Sequence, residues 1–220
     1  MRMNNRSSEP VKLNGESVEE VTEFVYLGTK MTHDGDTTTE IYSRISRARQ
    51  TFAILKNTWK SKNISTKTKV RIFKSNVLST LLYGSESWKV TKTINQKLDA
   101  FQNRCLRRIL NVFWPNIITN EVLHRATSTK PISLEIKKRR WKWLGHVLRM
   151  QSSALPKVAL RWTGDGKRKR GRPKETWRRT LESEMRKEGW TWGEIQRRAT
   201  DRTRWRMLVE ILCADQHEED

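Results

Sequence analysis

The spacing of hydrophobic positions changes once along the chain, from a period of two to a period near a helical turn. Val11 and Leu13 alternate with polar neighbours, Asn14-Gly15 is the two-residue signal for a type I′ hairpin, and Val18 lies on the returning arm. A second extended run, Phe24-Val25-Tyr26-Leu27, is closed by Gly28, and Asp34-Gly35 reads as a turn. From residue 38 onward Ile41, Ile45, Ala48, Phe52, Leu55 and Trp59 recur at intervals of four and three, which places them on one helix face with Arg44, Arg47, Arg49 and Lys56 outside it. Ser65 is a good N-cap for a second helix that turns Val70, Phe73, Val77 and Leu81 inward, carries Lys67, Lys69, Arg71 and Lys74 early, and stops at Gly84. A third helix is predicted from Thr93 to Leu110, with Ile94, Leu98, Phe101, Cys105 and Ile109 as its stripe and Arg104, Arg107 and Arg108 outside. Three amphipathic helices with short connections predict a small helical bundle.

Beyond Trp114-Pro115 the elements are shorter and more basic. Thr119 can cap a helix to about Thr127, and Ser133 can cap a longer one to Met150 in which Ile136, Trp143, Leu144 and Val147 pack. Leu155-Pro156 ends this region. Gly164 to Lys174 reads GDGKRKRGRPK, too charged and too rich in Gly and Pro for a packed element, so it is an exposed linker. Trp177, Leu181 and Met185 then line one helix, Thr191 and Glu194 form a capping box for the next, and Asp201 caps a last helix carrying Trp205, Leu208 and Leu212. No repeat of 20 to 50 residues is present, which excludes a solenoid.

Charge sharpens this outline. The chain has 45 Lys plus Arg against 24 Asp plus Glu, a formal net charge of +21. Self-repulsion of that size favours a polyanionic partner, nucleic acid before an acidic membrane, and disfavours a soluble metabolic enzyme. Ten Trp, five Phe and three Tyr argue that much of the chain folds. Residues 1–40 hold four bases and eight acids, a balance of −4, so +25 falls on the other 180 residues. A polyanion therefore meets the chain after residue 40. Two cysteines make no disulfide framework, and no apolar run of signal-peptide or membrane-spanning length occurs, so a cytoplasmic or nuclear location is expected with no membrane partner.

The densest charge is Lys167, Arg168, Lys169, Arg170, Arg172 and Lys174. Gly171 permits close backbone approach, the Arg side chains flanking it can lie along a narrow A·T-rich minor groove, and Pro173 keeps the strand extended, as in the core of an AT-hook. The same bases would bind any phosphate backbone by counterion release, or act as a solvated linker or nuclear localisation signal. Arg44, Arg47, Lys67, Lys137, Lys138, Arg139 and Arg140 are helical candidates for phosphate contact, with Lys69 beside them. Trp141, Trp143, Trp190 and Trp192 could stack on unpaired bases, although Trp at helical spacing is more often core. Cys105, His124 and His146 lie 19 and 22 residues apart, without the close pairs of structural zinc, so no metal or other cofactor is expected. No catalytic triad arrangement or phosphate-binding Gly loop has supporting context, and there is no Asp-Asp pair in the chain.

Several blocks together resemble a known family. Phe24-Val25-Tyr26-Leu27-Gly28 with Asp34-Gly35, Ile41 to Trp59, Leu81 to Trp88, Arg104 to Leu110, Arg140 to Met150, Gly171-Arg172-Pro173 with Trp177, and Asp201-Arg202 with Trp205-Arg206 are similar, in order, to the region following the palm in reverse transcriptases of non-LTR (LINE-type) retrotransposons. The resemblance covers nearly all of residues 11–212. It implies a truncated element: the endonuclease and the palm, whose Asp-Asp motif holds catalytic magnesium, would lie upstream. Many relatives have Cys where this chain has Ser85, which removes a thiolate partner for Cys105.

The expected architecture is mainly α-helical with a small N-terminal β-hairpin piece. Residues 1–36 resemble the palm edge, 37–114 a thumb-like three-helix bundle and 115–160 a basic helical region; 161–175 is the AT-hook-like linker and 176–220 holds C-terminal helices. The expected function is a nucleic-acid-binding remnant without polymerase or nuclease activity of its own, taking RNA, DNA or an RNA–DNA hybrid, with a polymerase-containing retrotransposon protein as a further partner. The competing readings are an A·T-seeking chromatin protein and an inert reading frame whose uncovered strands aggregate.

Overall fold

The computed structural model describes residues 9–33, 35–162 and 176–214, and is mainly helical with two small N-terminal hairpins. It divides into two compact units, residues 1–84 and 85–220. Among the described residues no helix is long and apolar enough to cross a membrane.

In the first unit, β1 (Lys12–Leu13) and β2 (Glu16–Ser17) pair antiparallel through Asn14 and Gly15, whose φ values of 51° and 89° are those of the expected type I′ turn. β3 (Glu23–Tyr26) pairs with β4 (Thr29–Thr32) in the same way, Tyr26 opposite Thr29, with Leu27 and Gly28 at φ 49° and 76°. β4 carries no apolar alternation, so the sequence pattern did not reveal it. Gly35 has φ 67°, and Asp34 lies outside the described residues.

The predicted first helix is two. α1 (Thr38–Ile54) ends at Leu55, and α2 (Lys56–Lys60) restarts so that Trp59 stacks on Phe52 at 4.9 Å and donates its indole N–H to the Phe52 carbonyl at 2.7 Å. Ser65 caps α3 (Thr66–Ile72) by accepting from the Thr68 N–H, as expected. The helix then passes through a π-helical segment (Phe73–Leu78) into α4 (Ser79–Leu81), and Gly84 ends it at φ 72°. Val70, Phe73, Val77 and Leu81 are buried, as are Ile41, Ile45, Ala48 and Phe52 of α1. Burial of these side chains drives the unit.

The second unit opens with a 3-10 turn (Ser85–Ser87) and α5 (Lys92–Ile109), whose stripe Ile94, Leu98, Phe101, Cys105 and Ile109 is buried. The expected bundle over 37–114 is thus divided at Gly84: α5 packs on α6 (Asn120–Thr127) and α7 (Ile132–Arg149). Thr119 caps α6 by accepting from the Val122 N–H. Ser133 does not cap α7. It is inside the helix, where its N–H and hydroxyl donate to the Asp99 carboxylate of α5 at 3.0 and 2.7 Å, so the cap comes from another helix.

Leu155-Pro156, expected to end a region, begins α8 (Leu155–Arg161), since a first-turn proline sacrifices no helical hydrogen bond. Thr176 caps α9 (Trp177–Lys187), Thr191 and Glu194 form the expected capping box on α10 (Trp192–Thr200), and Asp201 caps α11 (Arg202–Leu212) by accepting from two backbone N–H groups. α7 is the central helix, meeting α5, α8, α10, α11 and the 3-10 turn. Its buried arc is therefore broad: Trp141 is fully buried, while Trp143 is 36 % exposed at the edge. Trp141, Leu144, Leu181, Met185, Ile195, Trp205 and Val209 belong to one core cluster of this unit.

Gly145 lies directly against Trp205 in that core. A Cβ there would lie 2.1 Å from Nε1 of Trp205, which donates to the Trp141 carbonyl at 3.0 Å. The absence of a side chain on α7 lets α11 settle against it. The contact also sets which residues on the two helices become neighbours one turn further on.

Candidate nucleic-acid interface

The six linker bases Lys167, Arg168, Lys169, Arg170, Arg172 and Lys174 lie outside the described residues. The helical candidates are described, and they divide by what their side chains already bond.

In the first unit Arg44 is buried. Its Nε donates to Glu40 Oε1 and its Nη2 to the Gly28 carbonyl, both at 2.6 Å, while its guanidinium stacks 4.8 Å from the Tyr83 ring. Glu40 also accepts from the Lys30 N–H at 2.7 Å. Arg44 and Glu40 thereby tie the β3–β4 turn to α1, with Arg44 Nε and Nη2 engaged within the fold. Lys69 is likewise buried, with Nζ on the Trp59 carbonyl at 2.9 Å. Arg47, Lys67, Arg71 and Lys74 remain exposed, Arg47 with its Nη1 donating to the Gly28 carbonyl at 3.4 Å.

The run Lys137 to Arg140 in the second unit has been used in the same way. Lys137 is buried and donates to the Leu212 carbonyl at 3.2 Å, and Lys130 donates to the Cys213 carbonyl at 3.2 Å, so two ammonium groups cap the C-terminal end of α11. Lys138 pairs with Glu210 at 2.6 Å and Arg139 with Glu135 at 3.2 Å. Arg140 is buried and pairs with Glu184, whose second oxygen accepts from the Trp141 indole at 2.6 Å. Of these four, Lys138 and Arg139 keep part of their surface in solvent. The tryptophans divide similarly: Trp141 is core, edge-on to Trp190 at 5.7 Å, and Arg178 and Arg198 lie over the rings of Trp192 and Trp190.

A basic cluster not anticipated from the sequence lies where α7, α10 and α11 converge. Arg149, in the last turn of α7, donates Nη1 to the Ala199 carbonyl at 2.9 Å. Burial, and after it the guanidinium charges of Arg202 and Arg206, hold Arg149 below its ordinary value. Among the described residues no carboxylate pairs with any of the three. Arg202 and Arg206 are exposed one turn apart on α11, and Arg149 follows Gly145 by one turn on α7. The contact at Gly145 is what brings these like charges together. The i, i+4 spacing of Arg202 and Arg206 was visible in the sequence, but the helix pairing that adds Arg149 was not.

The zinc candidates lie in separate settings. Cys105 is on the buried stripe of α5, His124 Nδ1 shares a 3.0 Å hydrogen bond with Thr129 Oγ1, and His146 lies against Trp143. Among the described residues no group of three His, Cys, Asp or Glu side chains could hold a metal ion.

Residues 51–83, from the end of α1 through α4, match a family described as a domain of unknown function (DUF6451). An uncharacterized transposon-derived protein of Caenorhabditis elegans, F52C9.6, is 27 % identical over 196 residues, 83 % of this chain and 69 % of that protein. The likeness supports a transposon-related origin for the chain. No solved structure matches.

Proposed function

We propose that the chain is a nucleic-acid-binding remnant of a non-LTR retrotransposon reverse transcriptase, holding RNA, DNA or an RNA–DNA hybrid by its phosphates in the nucleus or cytoplasm. The observation that carries this reading is the convergence of Arg149 on α7, held by the Ala199 carbonyl of α10, with Arg202 and Arg206, exposed one turn apart on α11, none of the three paired with a carboxylate among the described residues. Like charges gathered without counter-charges are stabilised by a bound polyanion, and guanidinium forks match phosphate oxygens. The exposed bases Arg47, Lys67, Arg71 and Lys74 and the six linker bases extend the same chemistry. The transposon-derived relative supports the coarser part of this reading, a transposon-related origin.

The proposed role is binding without catalysis. Polymerisation and metal-dependent strand cleavage need paired carboxylates to hold divalent ions, and the chain has no Asp-Asp pair. A polymerase-containing retrotransposon protein is the proposed protein partner. The test is binding of the full chain to duplex DNA, duplex RNA and an RNA–DNA hybrid across a salt series. A steep linear fall of log K with log salt is expected, and a slope near zero overturns the reading.

A further inference from the structure

The second unit also contains an open basin of about 710 Å³ between the C-terminal half of α5 and the segment leading into α6. Three features of its lining differ in kind. Arg104 and Arg108 are exposed, and among the described residues neither pairs with a carboxylate; Asp99, the one acid in the wall, is occupied by the Ser133 N–H and hydroxyl. Trp114 is 87 % exposed and Phe113 53 % exposed, so two aromatic rings stand in water beside the guanidinium groups. Asn103 is only 7 % exposed, lines the basin, and its Oδ1 has no hydrogen-bond partner among the described residues.

Each feature by itself has an ordinary explanation; their juxtaposition asks for a ligand that is anionic, planar and able to donate hydrogen bonds. Arg107 shows that the arrangement is held. Its Nη2 donates to Asn120 Oδ1 at 2.8 Å and to the Ile118 carbonyl at 3.3 Å, which fastens the Trp114-bearing segment across from α5. We infer that this basin is a single-strand subsite: an unpaired nucleotide stacks its base on Trp114 and Phe113, places its phosphates on Arg104 and Arg108, and offers amino or imino hydrogens to the Asn103 carboxamide.

A duplex does not satisfy this set, because its bases are stacked on one another and their ring faces are closed to an indole. Stacking on aromatic side chains is the general means by which proteins hold unpaired bases, and it tolerates any base. The subsite rests on the nucleic-acid reading above, and it assigns to unpaired strands a role separate from that of the Arg149, Arg202 and Arg206 cluster.

The test measures the affinity of the full chain for a 12-nucleotide single strand carrying one 2-aminopurine and for a duplex of matched length. Trp114→Ala should weaken single-strand binding about tenfold, remove the quenching of 2-aminopurine that stacking causes, and leave duplex affinity within about twofold. Trp114→Tyr should retain most of the single-strand affinity and quenching. Arg104→Gln with Arg108→Gln should lower the single-strand salt slope by about 1.4, two phosphates at about 0.7 each. Because Trp114 stands in solvent, thermal unfolding of Trp114→Ala should match that of the unaltered chain. An equal loss for both ligands, or unchanged single-strand affinity and quenching, overturns the subsite while leaving duplex binding intact. Failure of the unaltered chain to bind either ligand overturns both the subsite and the reading it rests on.

Discussion

Gly145→Ala tests the packing that assembles the basic cluster. The added methyl would sit 2.1 Å from Trp205 Nε1 and 2.5 Å from its Cδ1, well inside van der Waals contact with a buried indole that cannot swing into solvent. Forcing extra volume into a packed core costs about 1–3 kcal/mol. If Trp205 retreats, its N–H leaves the Trp141 carbonyl, and an unsatisfied buried donor costs about another 1–3 kcal/mol. Alanine recovers about 1 kcal/mol as a better helix former than glycine. The balance is a net destabilisation of about 1–5 kcal/mol, with a midpoint of about 3 kcal/mol, read by urea unfolding followed by circular dichroism. A double-mutant cycle with Trp205→Leu identifies the mechanism: Leu makes room for the methyl, so the double variant should lose less than the sum of the two single changes. Gly145→Ala at or above the stability of the unaltered chain would refute the argument, because helix propensity would then have won over the clash.

Other consequences can be measured separately. Glu40→Gln leaves the buried Arg44 charge without its counter-charge and should destabilise the first unit by about 3 kcal/mol in denaturant unfolding; a loss below about 1 kcal/mol would show that Arg44 reaches solvent there. The Thr191 N–H holds the Glu194 carboxyl below its ordinary value, the backbone N–H of Arg204 does so for Asp201, and the Lys138 ammonium does so for Glu210. Their folded values are depressed, so their stabilisation is present above the ordinary carboxylate range and is lost as pH falls through the folded values; Glu210→Gln should flatten the fall of stability below pH 4.5, and an unchanged acid profile would contradict it. Burial pushes the Cys213 thiol up, and Cys105 is also buried, so both should resist alkylation at pH 8 until denaturant is added. Rapid labelling of the folded chain would show that the end of α11 opens.

Local signals were legible in the sequence and long-range partners were not. Ser65, Thr119, Thr191 with Glu194, and Asp201 cap helices within three residues of themselves, and Asn14-Gly15 closes its hairpin with its own backbone, so each needs only its neighbours. The run Lys137 to Arg140 shows the opposite case. Its charge was evident, but the Leu212 carbonyl and Glu184, 75 and 44 residues away, decide that Lys137 and Arg140 face inward. The break at Leu55 accompanies the fold-back of Trp59 on Phe52, and the π-helical segment lies against α1, contacts that a periodic stripe does not encode. The cluster at Arg149 depends on a glycine whose role appears only when α11 lies against it.

The most direct test of the central claim compares salt slopes for duplex DNA between the unaltered chain and the triple variant Arg149→Gln, Arg202→Gln, Arg206→Gln. Three phosphate contacts at about 0.9 each predict that the slope becomes shallower by about 2–3, with the fold retained because Arg202 and Arg206 are exposed and Gln can still donate at position 149. An unchanged slope in a folded triple variant would contradict the claim that this cluster is the phosphate-binding face.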